Sequence, residues 1–192
     1  MSSSENFRPK SGWALFCAAV VLAGFWLWSV VLTGSASDII ATALWALAVL
    51  VGIYLISVRP KIIFSDSCIE IINPLQRVRI GWGDVTNVGA KWALEVESIH
   101  GKFSAWAAPA PSRFHSKKID QSELKSMRIA GEESIFAAHS PKSDSGIALH
   151  IAQIHRSAFT GGDTEFKVSR NYSGVLVMAA CVGAAIVLNV AG

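Results

Sequence analysis

Residues 13–58 read WALFCAAVVLAGFWLWSVVLTGSASDIIATALWALAVLVGIYLISV, and this stretch decides the fold class. Trp13–Leu32 and Ile39–Val58 are 20-residue runs without Asp, Glu, Lys or Arg, joined by Thr33-Gly34-Ser35-Ala36-Ser37-Asp38. At 1.5 Å per residue, about 20 apolar residues cross the roughly 30 Å of hydrocarbon in a bilayer. Each run predicts a membrane-spanning helix, and the short connection predicts an antiparallel helical hairpin. A third uncharged run, Asn171–Gly192, contains the Ala- and Gly-rich core Gly174–Val190 and predicts a third span. Elsewhere the composition changes. The chain has 192 residues, 52% hydrophobic and 16% charged, yet all 31 charged residues fall in the 130 residues outside the three runs. That density matches the about 25% of an ordinary soluble domain. The division excludes a purely soluble globule and a large polytopic transporter core. A cleaved signal peptide is the competing reading of the first run. Its length and its Phe25-Trp26-Leu27-Trp28 exceed the apolar region of such peptides, about 7–15 residues long, so a retained helix is expected.

Basic residues beside spans mark the cytoplasmic side. Arg8 and Lys10 precede the first run, Arg59 and Lys61 follow the second, and Lys167 and Arg170 precede the third. The connection between the first two holds no basic residue, and none follows the third run. The predicted organisation is therefore a cytoplasmic tail (1–12), a transmembrane hairpin (13–58), a cytoplasmic domain (59–170) and a transmembrane helix (171–192). The C-terminus is expected outside, and the bilayer is expected to be the plasma (inner) membrane. Trp13, Trp28 and Tyr54 fall near the expected interfaces, where amphipathic rings are favoured. Ala179-x-x-x-Gly183 is a candidate helix-packing pair, because small residues four apart let backbones approach closely in lipid. No span carries Asp, Glu, Lys, Arg or His, the residues that proton relays and ion pathways use. Cys17, Cys68 and Cys181 are scattered and form neither a disulfide framework nor a ligand set.

Segment 59–170 holds 15 basic and 12 acidic residues, a balance that points neither to nucleic acid nor to an acidic substrate. Lys61–Phe64 and Cys68–Ile72 are β-branched runs around the turn Ser65-Asp66-Ser67, and Asn73-Pro74 marks the next turn. In Arg77–Trp82 strict alternation puts Val78, Ile80 and Trp82 on one side and both arginines on the other. Ala93–Glu97 alternates likewise, and His100-Gly101-Lys102 turns the chain into Phe103–Ala107, with Pro109 and Pro111 ending the pattern. Residues 110–145 lack clear periodicity, with an excursion or a hairpin around Met127–Ala138 as the alternatives. A helix is expected over Gly146–Ala158, capped by Ser143, Asp144 or Ser145, with Ile147, His150, Ile151, Ile154 and Phe159 as its apolar face. Thr160-Gly161-Gly162-Asp163 should stop it.

Short antiparallel strands followed by one helix resemble a pleckstrin-homology-like (PH-like) domain. More narrowly, Arg59-Pro60, Asn73-Pro74-Leu75, Ile80-x-Trp82-x-Asp84-Val85, Trp92–Val96, Ala105-Trp106-Ala107-Ala108-Pro109-Ala110-Pro111 and Ser143–Gly146 carry a resemblance. They resemble the actinobacterial membrane proteins with a bacterial PH-like domain that are grouped with a low-molecular-weight antigen. The resemblance covers about Trp13–Arg156; the third span departs from the simplest two-span members. It implies two spans feeding an antiparallel sheet or barrel with one C-terminal helix, and it supplies no reaction and no catalytic residue.

A search for chemistry returns no phosphate loop, nucleophile elbow or zinc-protease motif, and Gly81-x-Gly83 belongs to a strand end. His150 and His155 are five apart and point apart on a helix, so His150 is expected in the core and His155 in solvent. Glu132-Glu133 reads as a solvated turn. No catalytic, cofactor-binding or metal-ligating residue is assigned, and the chain is read as a non-enzyme. Lys61, Arg77 and Arg79 form a basic strand face suited to anionic headgroups, with Phe114–Lys118 as a second basic stretch. Trp82 shares core parity, whereas Trp106 shares parity with Ser104 and is the surface tryptophan, a residue type that dominates interface hot spots. The expected function is non-enzymatic protein–protein interaction with a membrane-protein partner, as an accessory or assembly subunit of a larger complex such as a respiratory one. A membrane-anchored sensor of anionic lipid headgroups is the alternative, and no nucleic-acid partner is expected.

Overall fold

The computed structural model describes residues 4–9, 11–109, 143–162 and 164–191. The features expected at Phe114–Lys118, Met127–Ala138 and Glu132-Glu133 lie outside the described residues. The chain divides into two compact units, Lys10–Arg59 with Arg170–Gly192, and Met1–Pro9 with Pro60–Ser169.

The first unit is helical. Helix α1 spans Ser11–Thr33, and α2 spans Ala36–Ile53 and runs into a π-helical turn, Tyr54–Val58. That turn is closed by Arg59 N donating to Tyr54 O at 2.9 Å. The connection between α1 and α2 shrinks to Gly34 and Ser35, because Ser35 and Asp38 form a reciprocal capping box that starts α2 early. The segment Ser11–Thr33 has mean hydropathy 2.4 and Ala36–Val58 has 2.5; a third helix over Ser173–Val190 has 2.2. All three are long and apolar enough to cross a membrane. The last helix of the chain starts where Asn171 Oδ1 accepts from Ser173 N at 3.0 Å and from Ser173 Oγ at 2.6 Å. Helix α2 packs more extensively on this last helix than on α1; α2 buries Ala41, Thr42, Ala46 and Ala48, and the last helix buries Cys181 and Ala185. Small side chains permit that approach. At the other contact, α1 meets the π-helical turn so closely that a Cβ on Gly12 would collide with Ser57 O.

Among the described residues the second unit holds two sheets and one α-helix. Strands β1 (Ser4–Phe7), β2 (Lys61–Ser65), β3 (Cys68–Ile72), β4 (Gln76–Gly81) and β8 (Phe166–Arg170) form a five-stranded sheet in the order 1-2-3-4-8. Strands β5 (Val85–Ala90), β6 (Ala93–Ser98) and β7 (Gly101–Pro109) form the second sheet. Strands β1 to β4 and the strands of the smaller sheet pair antiparallel. Ser4–Phe7, expected within a tail, is thus an edge strand whose Phe7 pairs with Ile62 and packs on the core. In the first sheet Ile62, Phe64, Ile69, Ile71, Val78 and Ile80 face inward, as the alternation requires. Val88, Leu94, Val96 and Ala105 meet them from the second sheet. Each fully buried side chain of this size contributes about 1.5–3 kcal/mol. A turn of 3-10 helix, Trp82–Asp84, carries the chain from one sheet to the other. The β6–β7 hairpin turns on Ile99-His100, and Gly101 takes φ 126°, which an L side chain rarely adopts.

Helix α3 spans Asp144–Ala158, with Ser143 Oγ accepting from Gly146 N at 3.0 Å as its cap. Its buried stripe is Ser145, Ala148, Leu149 and Ala152, so the expected apolar face is corrected. Ile151 and Phe159 pack on the core, but Ile147, His150 and Ile154 are exposed. The small residues win because they let the helix lie close against the sheets. The chain's last helix is α4, Ser173–Ala191.

Candidate functional site

The outer face of the first sheet gathers the basic residues. Register aligns Lys61, Ile72 and Arg77 across β2, β3 and β4, and aligns Ile63, Glu70 and Arg79 in the next row. Arg77 and Arg79 therefore share one face with Lys61, as their parity predicts. Strand β8 supplies what sequence reasoning missed: Lys167 and Ser169 join Glu70, Arg77 and Arg79 around a groove of about 300 Å³. Lys61 lies in the same row as Arg77 but does not line the groove. Arg77 Nε donates to Glu70 Oε1, and this hydrogen bond holds the guanidinium above its ordinary pKa. Arg79 Nη2 pairs with Glu165 Oε2 at 3.1 Å. Its Nε is buried, and the Cys68 side chain, ahead of Glu165, holds the Arg79 guanidinium above its ordinary pKa. Lys167 has no ion-pair partner among the described residues.

The outer face of the second sheet carries the opposite charge. Glu95 and Glu97 point outward beside Lys102, whose Nζ lies 2.6 Å from Glu95 Oε2 and 3.3 Å from Glu97 Oε1. The hydrogen bonds that Lys102 donates to Glu95 and then Glu97 raise its pKa above the usual value. Trp106 stands on β7, 58% exposed, and Trp92 in the β5–β6 turn is 66% exposed. The backbone of Trp106 is fixed although β7 leaves its regular pairing with β6 at Ala105, resuming only at Pro109. Asn73, in the β3–β4 turn, accepts from Trp106 N at 3.0 Å and donates to Ser104 O at 2.8 Å. One amide side chain thus stands in for a neighbouring strand.

Trp82 is buried, as its parity predicts, and its Nε1 donates to Ser65 O at 2.8 Å. The histidines reverse the expectation. His150 is exposed, whereas His155 stacks on Phe64 and Trp82, with ring centroids 6.0 and 6.3 Å away and Glu5 Oε2 at 4.0 Å. Rotation of the buried stripe of α3 accounts for both. Buried Asp84 meets His100 Nε2 at 3.1 Å, and the His100 ring stacks on Phe166 at 4.0 Å, tying the 3-10 turn after β4, the β6–β7 turn and β8 together.

In the helical unit Ala179 and Gly183 lie outside the α2–α4 contact. Both are exposed, and a Cβ on Gly183 would meet nothing within 4 Å. The contact uses Cys181 and Ala185 instead, one helical stripe away. Among the described residues no three His, Cys, Asp or Glu are grouped to hold a metal ion. Compared with family profiles, curated proteins and solved structures, the chain matches none.

Proposed function

We propose that this chain is a membrane-anchored, non-enzymatic interaction module. Helices α1, α2 and α4 cross the plasma (inner) membrane. The two-sheet unit is a PH-like domain that docks on another membrane protein, as an accessory or assembly subunit of a larger complex such as a respiratory one. The observation that carries this reading is the outward display of Trp106, 58% exposed on a backbone clamped by Asn73. A rigid, solvated indole is the side chain most enriched where binding energy concentrates. Flanking charge supports a cytoplasmic position for the domain, since Arg8, Arg59, Lys61, Lys167 and Arg170 all adjoin the spans on that side. Pairing of β1 with β2 supports an even number of crossings between them, because both strands must then lie on one side of the bilayer.

The test is gentle extraction of the tagged full chain followed by native gel analysis. Co-migration with a membrane protein, lost in Trp106→Ala with the melting temperature unchanged, is the expected result. Migration of the wild-type chain as a lone monomer would sink the reading.

A further inference from the structure

We propose that the groove between α1, α2 and α4, at the end where α1 turns into α2, binds a quinone: a flat, neutral ring carrying two carbonyl oxygens. The proposal rests on the reading that these helices cross the bilayer, and not on the docking role of Trp106. The groove measures about 480 Å³, within the range of small-molecule sites, about 300–1,000 Å³. Trp26 of α1, Thr42 and Trp45 of α2 and Asn189 of α4 line it. At 1.5 Å per residue, Trp26 lies about 10 Å below the end of α1, and Thr42 and Trp45 about 9 and 14 Å below the start of α2. Those depths fall within hydrocarbon, where an unsatisfied polar group is costly. Yet the Thr42 hydroxyl, the Asn189 amide and both indole N–H groups have no hydrogen-bond partner among the described residues. Three helices thus bring four unpaired donors to one space. An indole nitrogen can only donate, so a ligand that satisfies both indoles must present acceptors. The indole faces also suit a flat ring, which stacks on them. Charge narrows the choice further. Among the described residues that line the groove Asp38 alone is ionisable, and its carboxylate accepts from Ser35 N at 2.9 Å and from Ser35 Oγ at 2.7 Å. A carboxylate at the mouth repels anionic headgroups, and no Lys or Arg lines the groove to offset it, so the ligand is neutral.

The full chain in maltoside micelles is titrated with menadione while indole emission is followed. Partition into the micelle quenches linearly, whereas binding at a site saturates, and a saturable phase is expected for the wild type. Thr42→Val, which keeps the shape and loses the hydroxyl, and Asn189→Leu should each weaken that phase roughly three- to tenfold, the scale of one hydrogen bond. Gly183→Leu, outside the groove, should leave it unchanged. Asn189→Leu, at an exposed position near the end of α4, keeps the test open if Thr42→Val fails to fold. Dioctanoylglycerol, which has ester carbonyls and no ring, should not displace menadione. Absence of a saturable phase, both variants matching the wild type, or equal competition by dioctanoylglycerol overturns the proposal. Alkaline carbonate extraction separates this failure from that of the reading beneath it. Release of the wild-type chain from membranes refutes the spanning helices themselves, whereas retention without saturable quenching refutes only the quinone site.

Discussion

Asn73 sits in the turn between β3 and β4, yet its side chain supplies the hydrogen bonds that β7 loses on leaving β6. Asn73→Ala strands one carbonyl and one N–H, and should lower stability by about 1–3 kcal/mol in denaturant melts of the full chain. Asn73→Asp keeps the acceptor for Trp106 N and should recover part of that loss. The tryptophans separate in the same assay. Trp82→Ala removes a fully packed ring and its bond to Ser65 O, for about 3–5 kcal/mol. Trp106→Ala should change stability by no more than about 0.5 kcal/mol, because its indole touches little of the core. This contrast was legible in the sequence, since alternation along β4 and β7 assigns each ring a face. The histidines were not legible. Counting large apolar residues on α3 favoured Ile147 and Ile154, whereas Ala148 and Ala152 set the contact and carried His155 inward. The bridging role of Asn73 joins residues 31 and 33 positions apart, a separation that no local pattern reveals.

At the scale of elements, the apolar helices and strands β2, β3, β4, β6 and β7 announce themselves by period and composition. Strands β1, β5 and β8 do not. Ser4–Phe7 offers one apolar residue, and β5 holds Asn87 and Gly89, poor strand formers that pairing with β6 overrides. Strand β8 does alternate, Phe166 and Val168 against Lys167 and Ser169, and that signal was available. The strand supplies two of the five residues that line the basic groove, Lys167 and Ser169. Among the helices, packing rather than motif spacing decides the interface. Ala185→Leu overfills the α2–α4 contact and should cost the helical unit about 1–3 kcal/mol, read as a lowered melting temperature in detergent. Gly183→Leu adds bulk into open space and should leave that melt unchanged. Gly12→Ala places a methyl against Ser57 O and should destabilise as Ala185→Leu does.

Taken whole, the chain interleaves its two units: the sheet unit opens the sequence, is interrupted by two helices and resumes at Pro60. A fragment beginning at Pro60 would lack β1, leave β2 as an unpaired edge and lose the packing of Phe7. Such a fragment should melt earlier and aggregate more than the full chain, read by thermal unfolding and light scattering. The sheet faces differ in sign, basic on β2–β3–β4–β8 and acidic beside Trp106. The β1–β2 pairing also has a consequence in time. Phe7 and Ile62 are 55 positions apart. At about 5–20 residues per second, a ribosome makes β1 roughly 3–11 s before its partner exists. Both intervening helices are complete within that interval. Any cellular machinery that receives α1 and α2 therefore acts on a chain whose first strand is still waiting, and the sheet closes only after the fate of those helices is settled.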